Sequence, residues 1–278
     1  MQATLVEKDV FLLEGREGGP RSVVLAGVHG DEMPGIEAFE RLLPTLEIQR
    51  GKVWFIYANP VTMALNRRVF EANLNRMFKS DEEMTKEQRK SYEYERAQFL
   101  KPYLEGAEVL LDIHASTTPT GKPKPFVLCE ANAKGIIEYL PFNVVVNGFD
   151  EVEPGGTDYY MNKIGKIGIC VECGFMTDPE ASLRAEESIL NFLKVRGHME
   201  GEVSMYEQRW ARMYTLYLTK VDFRPAKEFE DFEPVVTGQV LGTDGEEDVT
   251  APRAGFVLFP REREGSGKEA FLFGEWMS

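Results

Sequence analysis

The sequence predicts an α/β protein with a mostly parallel or mixed sheet flanked by helices, followed by a small all-β domain. Up to about residue 198, strand-like apolar segments alternate with amphipathic helices, a pattern typical of a largely parallel sheet. From about residue 200, short apolar segments follow one another between Gly, Pro and Asp, without helical periodicity. With 43% hydrophobic residues, the 278-residue chain can bury a sizeable core.

Apolar periodicity locates the elements of the first part in order. The segment 21–30 (RSVVLAGVHG) predicts a buried strand, and 31–46 predicts a helix with apolar residues at helical spacing. The other strands of this part are predicted at 51–60, 107–116, 125–130, 142–148 and 164–174. Two more helices are predicted, a long charged one at 81–104 and an amphipathic one at 179–197 that Gly197 closes.

The change of pattern near residue 200 predicts two domains. Residues 1–200 would form the catalytic domain, and residues 201–278 a β-rich domain of about 75 residues. Its strands are predicted at 214–223, 234–242, 248–260 and 269–276. We interpret it as a structural or oligomerising module at the mouth of the pocket, so that a homo-oligomer is one expectation.

Composition excludes several classes of partner. A formal charge of −14 argues against nucleic acid and anionic membranes, because phosphate groups would be repelled. No apolar segment approaches the roughly 20 residues that span a bilayer, and the N-terminus lacks a signal-peptide pattern. Three cysteines are too few for a disulfide framework, which favours a reducing cytoplasm. A small anionic substrate remains possible if a few arginines converge.

Polar residues that can bind or activate a ligand follow three predicted strands. His29 and Glu32 follow the first, His114 ends the strand at 107–116, and Glu172 ends the strand at 164–174. Ligands of open parallel sheets gather at the carboxyl ends of the strands, so these side chains could converge. Two histidines and one glutamate suit catalytic zinc with a water at the open position, and Glu172 is the natural base for that water.

Each of these signals has an ordinary structural explanation when it is taken singly. An H-x-x-E sequence in a turn is more often solvated, and a histidine at a strand end is often satisfied by a backbone carbonyl. However, the chain has only three histidines, and two of them follow strands in this arrangement. The third, His198, follows a helix end and is expected to lie at the surface or to compensate the helix dipole.

The loop 59–78 (NPVTMALNRRVFEANLNRMF) brings arginines into an acidic chain. A guanidinium binds a carboxylate through two parallel hydrogen bonds, and one aimed at a carbonyl stabilises an oxyanion. The ordinary alternative is a solvated basic loop paired with surface acids. That alternative suits Arg67 better than Arg76.

The ordered set HGDE, NP…RRVFEANLNRMF, LLDIHAS and VECG resembles the succinylglutamate desuccinylase/aspartoacylase family, relatives of the zinc carboxypeptidases. The resemblance extends from about residue 20 to the C-terminus and implies a zinc carboxypeptidase-like fold. It implies one Zn²⁺ per chain, held by His29, Glu32 and His114. The other implied roles are polarisation of the substrate carbonyl by Arg68, binding of the α-carboxylate by Asn75 and Arg76, and general base and acid catalysis by Glu172.

The chain departs from the family pattern at two places. Asn73 stands where the family usually has aspartate, so a charge that could orient Arg68 or a ligand histidine is lost. The segment 155–166 lacks the arginine that reads the acyl carboxylate in aspartoacylases. Its possible substitutes are Lys163 and Lys166. Two tyrosines in the same segment could take part in the site, Tyr159 and Tyr160, although packing is the simpler role for each.

Three functions follow from these residues. The first is a zinc amidohydrolase that cleaves a small N-acyl amino acid or a related compound. The second is a metallocarboxypeptidase acting on short or γ-linked peptides, which would use the same ligands and differ in pocket size. The third is a catalytically silent metal- or ligand-binding protein, although the intact set of four strand-end residues speaks against it. The acyl group and the amino acid remain undetermined.

Overall fold

A computed structural model describes residues 3–116 and 124–277. The strands are β1 (Thr4–Glu7), β2 (Val10–Glu14), β3 (Glu17–Ala26), β4 (Arg50–Tyr57), β5 (Val109–Ser116), β6 (Phe126–Cys129), β7 (Val144–Asn147), β8 (Ile167–Phe175), β9 (Arg209–Leu218), β10 (Phe223–Pro225), β11 (Glu233–Val235), β12 (Val240–Asp244), β13 (Glu247–Thr250), β14 (Gly255–Leu258) and β15 (Glu269–Trp276). The α-helices are α1 (Met33–Leu42), α2 (Pro60–Leu65), α3 (Tyr92–Gly106), α4 (Lys134–Ile137), α5 (Phe149–Val152), α6 (Thr157–Lys163) and α7 (Pro179–Val195).

Twelve strands form one mixed sheet in the order β1-β2-β4-β3-β5-β8-β6-β7-β9-β15-β14-β11. Its centre, β4-β3-β5-β8, is parallel, whereas β6 runs antiparallel to β8. A separate antiparallel sheet has the order β10-β12-β13. These findings confirm the predicted mixed α/β architecture with a β-rich C-terminal part.

Helices cover both faces of the central sheet. Phe39 of α1 and Phe192 of α7 belong to one buried cluster with β3, β5 and β8, whereas Leu100 and Leu104 of α3 belong to the cluster on the other face. Because both faces are covered, the central strands are apolar throughout, as in parallel sheets generally. The eight residues of β5 are all buried. The carboxyl ends of these strands are therefore held by a rigid core.

The C-terminal strands correct one expectation of the sequence, that a separate β module begins near residue 200. Strand β9 pairs in parallel with β7, and β15, β14 and β11 continue the same sheet from it. This pairing covers the edge of β7, and Met213 of β9 packs in a cluster with Phe126 and Val146. Strands beyond residue 205 are thus woven into the main sheet. The division into domains 1–200 and 201–278 stays a prediction.

One local prediction is wrong, and one element was missed. The long helix predicted at 81–104 begins only at Tyr92, because Ser91 caps α3 by accepting a hydrogen bond from the Tyr94 amide. Residues 81–83 and 88–90 form short 3₁₀ turns instead. The N-terminal hairpin of β1 and β2, which extends the sheet beyond β4, was not predicted from the sequence. In the part of the chain that the structure describes, no helix has the length and apolar character to cross a membrane.

Candidate metal centre

Parallel pairing of β5 with β8 places His114 beside Glu172. Residues at matched positions on neighbouring parallel strands point to the same face, and successive residues alternate between faces. Glu172 consequently lines the cavity at the strand ends, while Cys173 is buried in the core on the other face. Asp112, two residues before His114, shares the face of that histidine.

His29 and Glu32 lie in the turn between β3 and α1. The turn is compact because the Glu32 amide donates to the His29 carbonyl, and Gly30 permits another loop to approach it. A side chain at Gly30 would come within 2.1 Å of the Thr62 backbone. The Gly30 amide also donates to the Arg67 carbonyl (3.0 Å), which fixes the arginine-bearing loop above the turn. Glycine is therefore required here by close approach of the backbones.

Both imidazoles direct the same nitrogen at Glu32. His29 Nδ1 lies 2.8 Å from Oε1, and His114 Nδ1 lies 3.0 Å from Oε2. The outer nitrogens also face oxygens: His29 Nε2 lies 3.1 Å from Asn73 Oδ1, and His114 Nε2 lies 3.2 Å from Asp112 Oδ2. Partners of this kind orient metal-ligating histidines in proteins. Thr157 donates in turn to Asp112 Oδ2 (2.5 Å).

This arrangement fits a metal ion. If each outer Nε2 carries the ring proton, both Nδ1 lone pairs point at the Glu32 carboxylate, and a cation between them would satisfy all three groups. His29 Nε2 can then donate to Asn73, whereas the contact of His114 Nε2 with Asp112 lacks hydrogen-bond geometry. One ligand atom from each of His29, Glu32 and His114 lies within 4.8 Å of the other two, and all three residues are buried. Their nitrogen and oxygen donors are those that zinc takes in catalytic sites.

Electrostatics favour the metal-binding form in His29 and Glu32 but not in His114. Burial of His114 is outweighed by the charges of Cys170, Asp112 and Glu32, which hold its pKa well above the usual value. Burial lowers the pKa of His29 to about 4, so its imidazole is neutral near neutral pH. Burial opposes ionisation of Glu32, but the adjacent His29 and His114 hold its pKa well below the usual value. A neutral imidazole and an ionised carboxylate are the binding forms of these ligands.

Glu172 differs from Glu32 in its surroundings. Burial, and secondarily the charge of Glu32, raise the pKa of Glu172 to about 8. Its Oε2 is buried and, within residues 3–116 and 124–277, has no hydrogen-bond partner. A buried acceptor without a protein partner points to a ligand, an ion or a water molecule as its partner.

The arginine loop supplies three further predicted residues to the same cavity, Arg68, Asn75 and Arg76. Arg68 Nη1 donates to Glu32 Oε1 (2.6 Å), which places its guanidinium beside the histidines. Glu93 of α3 holds the loop by accepting hydrogen bonds from the backbone amides of 70–72. Asn75 lines the cavity and accepts a hydrogen bond from the Thr157 amide (3.3 Å). Arg67 is exposed, in agreement with its interpretation as a solvated residue.

Arg76 lines the cavity but is engaged by carboxylates of the chain itself. Its Nε donates to Glu269 Oε1 (3.0 Å) and its Nη2 to Glu269 Oε2 (3.2 Å). Nη2 also forms an ion pair with Glu153, and Nη1 donates to the Asn75 carbonyl (2.8 Å). Four of the five guanidinium N–H groups are thereby used, if each contact takes one hydrogen.

The C-terminal strands close the cavity, as the sequence had suggested for the pocket mouth. They contribute Phe259, Arg261, Arg263, Glu269 and Leu272. Sequence analysis missed these residues, as well as Glu153 and Asp158. No spacing in the sequence marks them, because the C-terminal residues reach the cavity through long-range strand pairing, and Glu153 and Asp158 reach it from the end of α5 and from α6.

The lysines proposed as substitutes for the missing arginine do not line the cavity. Lys163 pairs with Glu83 at the surface (2.9 Å), and Lys166 donates to backbone carbonyls at the end of α3. Of the two candidate tyrosines, Tyr159 lines the cavity, whereas Tyr160 packs against Phe78. Neither lysine can therefore read an acyl group from its observed position.

His198 was expected at the surface and is instead completely buried. Its Nε2 lies 2.9 Å from Ser22 Oγ and its Nδ1 lies 3.0 Å from the Arg50 carbonyl. Both ring nitrogens are satisfied by groups that bridge the end of α7 to the sheet. The third histidine is thus a structural residue.

Comparison with known proteins adds a family to this geometry. The profile of the succinylglutamate desuccinylase/aspartoacylase catalytic domain matches residues 18–196, well over half of the chain. An N-acyl-aromatic-L-amino acid amidohydrolase (carboxylate-forming) from Rattus norvegicus is 29% identical over 204 residues, 63% of this chain and 61% of that protein. A probable aspartoacylase from Trichodesmium erythraeum is 26% identical over 170 residues, 54% of each chain. The chain thus spans less than two thirds of the length of either relative.

Solved structures share the fold. Succinylglutamate desuccinylase from Vibrio cholerae superimposes with a TM-score of 0.81 at 20% identity, covering 98% of this chain and 86% of that one. A succinylglutamate desuccinylase/aspartoacylase from Rhodobacter sphaeroides gives a TM-score of 0.72 at 20% identity, covering 96% and 89%. The agreement includes the C-terminal strands, since nearly the whole chain is covered.

Proposed function

The chain belongs to the succinylglutamate desuccinylase/aspartoacylase family, and on that premise we propose that it is a zinc-dependent amidohydrolase. Its substrate would be a small N-acyl amino acid or a related compound. The observation that carries the proposal is the convergence of His29 Nδ1 and His114 Nδ1 on Glu32, with Glu172 beside His114. Metal-dependent hydrolysis needs three such ligands and a separate base.

The proposed roles follow from position. His29, Glu32 and His114 would hold one zinc ion, which when bound polarises a carbonyl and lowers the pKa of water to about 7. Glu172 would accept the proton of the attacking water and deliver it to the leaving amine, because the residue lines the cavity and its buried Oε2 has no partner in the described chain. Arg68 would stabilise the oxyanion after exchanging its hydrogen bond with Glu32 for one with the substrate.

The substrate clamp implied for Asn75 and Arg76 stays a prediction. It requires that Arg76 accept a third carboxylate or release Glu153 or Glu269, since most of its donors are engaged. Asn75 could contribute its amide nitrogen, because its Oδ1 already accepts the Thr157 amide.

The carboxypeptidase alternative is less well supported. The cavity encloses only about 120 Å³, which suits a compact substrate better than an extended peptide. The catalytically silent alternative would leave the position of Glu172 without a purpose. A cytoplasmic location stays part of the proposal, supported by three free, buried cysteines, and a homo-oligomer stays a prediction.

Metal analysis combined with a hydrolysis panel tests the proposal. We expect about one zinc per purified chain and release of amino acid from some member of a panel of N-acyl amino acids. The His114→Ala variant should lose the metal, with affinity falling further than the 10–100-fold typical when a residue behind a ligand is lost. The matched control is His198→Gln, which changes the histidine outside the cavity and should keep its metal. A folded His114→Ala protein with stoichiometric zinc would overturn the assignment.

A further inference from the structure

Two arginines enter the cavity from the segment that joins β14 to β15. Arg261 and Arg263 are partly buried and line the same cavity as His29 and Glu172. The Arg261 side chain lies against the Phe259 ring, with its guanidinium carbon 5.9 Å from the ring centroid. The segment between the two strands therefore carries cationic groups into the space where a substrate would bind.

The hydrogen-bond donors of these arginines are mostly available. Arg261 donates from Nε to the Phe259 carbonyl (3.4 Å), and no other acceptor or ion-pair partner is found for it in the described ranges. Arg263 donates from Nε to the Glu269 carbonyl (2.8 Å) and from Nη1 to the Glu262 carbonyl (3.4 Å). Both Nη groups of Arg261 and Nη2 of Arg263 thus lack a protein acceptor among the residues described.

Arg76 shows the opposite condition within the same cavity. Glu153, Glu269 and the Asn75 carbonyl already occupy its donors. A substrate carboxylate at Arg76 would have to displace an internal one, whereas at Arg261 it would meet unpaired N–H groups. Bidentate pairing of a guanidinium with a carboxylate is among the stronger polar interactions in proteins.

Electrostatics at Arg261 point in the same direction. Burial, together with the like charges of Arg263 and Arg68, lowers the pKa of Arg261 to about 10. At Arg261 the like charges of Arg263 and Arg68 each act more strongly than the opposite charges of Asp231 and Glu153. An anion bound between the three arginines would relieve this repulsion.

We propose that Arg261, assisted by Arg263, binds a carboxylate group of the substrate, so that the C-terminal strands determine specificity. The inference rests on the proposed amidohydrolase function for the identity of the substrate, a carboxylate-bearing amide. In the structure Arg76 connects the arginine loop to β15 through Glu269. The inference also supplies a residue for the role that Lys163 and Lys166 cannot fill.

Calorimetry with simple anions tests the binding step without requiring turnover. The probes are malonate, succinate, glutarate and adipate, each compared with the monocarboxylate of equal chain length, titrated into the zinc-loaded protein. We expect at least one dicarboxylate to bind about tenfold or more tightly than its monocarboxylate. Arg261→Gln should abolish that preference and Arg261→Lys should restore part of it. The control Arg253→Gln removes an arginine of the C-terminal part that does not line the cavity, and should keep the preference.

Kinetics with the best amide of the panel supply the second measurement. Arg261→Gln should raise KM about tenfold or more while kcat changes little, because a group that binds ground state and transition state alike affects KM. No hydrolysis of any amide would refute the proposed function, and calorimetry would still decide the anion site. Two results would refute the inference and leave the proposed function standing. One is normal hydrolysis by Arg261→Gln with an unchanged KM. The other is that wild type binds every dicarboxylate no more tightly than its paired monocarboxylate, or binds none of these anions detectably.

Discussion

The cavity has two walls of different origin. The histidine wall (His29, Glu32, His114 and Glu172) comes from the carboxyl ends of adjacent parallel strands. The arginine wall (Arg76, Glu153, Arg261, Arg263 and Glu269) joins residues as far as 193 positions apart in the chain. Strand pairing alone positions the first wall, whereas ion pairs between distant segments position much of the second. The first wall should thus be the chemically constant part, and the second the part in which substrate preference varies.

Loss of Arg76 should have the largest effect of these changes, a decrease in unfolding free energy caused by disruption of the arginine wall. In Arg76→Gln the carboxylates of Glu153 and Glu269 would lose their shared counter-charge. The cost in unfolding free energy should approach the roughly 3–5 kcal/mol of breaking a fully buried pair, less what Glu153 recovers by taking up a proton. Urea unfolding measures the change. Arg253→Gln removes a half-exposed ion pair and should cost less than about 1 kcal/mol. Unchanged stability of Arg76→Gln, with a raised KM, would make Arg76 a substrate clamp instead.

Loss of the base should break the histidine wall chemically without disturbing its structure. Glu172→Gln keeps the shape of the side chain and removes its basicity, so kcat should fall by at least about two orders of magnitude while zinc content and KM are retained. Initial-rate assays measure kcat and KM, and metal analysis of the same sample measures the zinc content. The matched control is Glu130→Gln, a half-buried acid outside the cavity. Loss of zinc from Glu172→Gln would make the residue a ligand.

The same contrast explains what could be predicted from the sequence. The histidine wall was predictable because apolar strands ending at His29, His114 and Glu172 must deliver these residues to one edge of a parallel sheet. Of the arginine wall only Arg76 was predicted, because the C-terminal residues of that wall depend on the pairing of β9 with β7 and of β15 with β9, which no local pattern specifies. Arg261 therefore had no recognisable signal in the sequence. The sequence showed only that segment 155–166 lacks the arginine that reads the acyl carboxylate in aspartoacylases.

Local capping explains the remaining differences. The charged segment before Tyr92 has helical composition, yet its backbone follows 3₁₀ turns held by side chains, as at Ser80, whose amide and hydroxyl both donate to Glu83. The hairpin β1–β2 contains only short strands, of which β1 is exposed throughout, so hydrophobic alternation is weak there. In both places tertiary context or capping outweighs composition.

Asn73 tests how the histidine wall is supported from behind. Asn73→Ala removes the acceptor of His29 Nε2 and should weaken zinc binding 10–100-fold, the usual effect of losing such a partner. Asn73→Asp, which retains an acceptor and adds a charge, should bind zinc at least as tightly as wild type. Competition with a fluorescent chelator measures both affinities. Equal affinity in all three proteins would show that His29 needs no partner.

Substitution of His198 should have the smallest effect, on the pH dependence of stability. It serves as the reference for a histidine outside both walls. Burial lowers its pKa from 6.5 to about 4, so the folded state keeps it neutral while the unfolded state takes up a proton below the ordinary value. The contribution of neutral His198 to stability is complete above the pKa that its imidazole has in the unfolded state. It is lost as the pH falls towards the pKa of the folded state. Between about pH 7 and about pH 5.5, wild type should lose about 1 kcal/mol more unfolding free energy than His198→Gln. Parallel pH curves for the two proteins would contradict this.

The register between β5 and β8 constrains where insertions and deletions can arise in this chain during evolution. Glu172 stands beside His114 only because a fixed number of residues precedes it in β8. A deletion of one residue between Ile167 and Val171 would advance the strand by one step and present the thiol of Cys173 where the carboxylate had been. The carboxylate of Glu172 would take the place of Val171 in the buried core, so the lesion would impair folding as well as chemistry. Related chains should therefore differ in length within their loops, and an alignment gap inside β8 should mark a lineage that has abandoned hydrolysis.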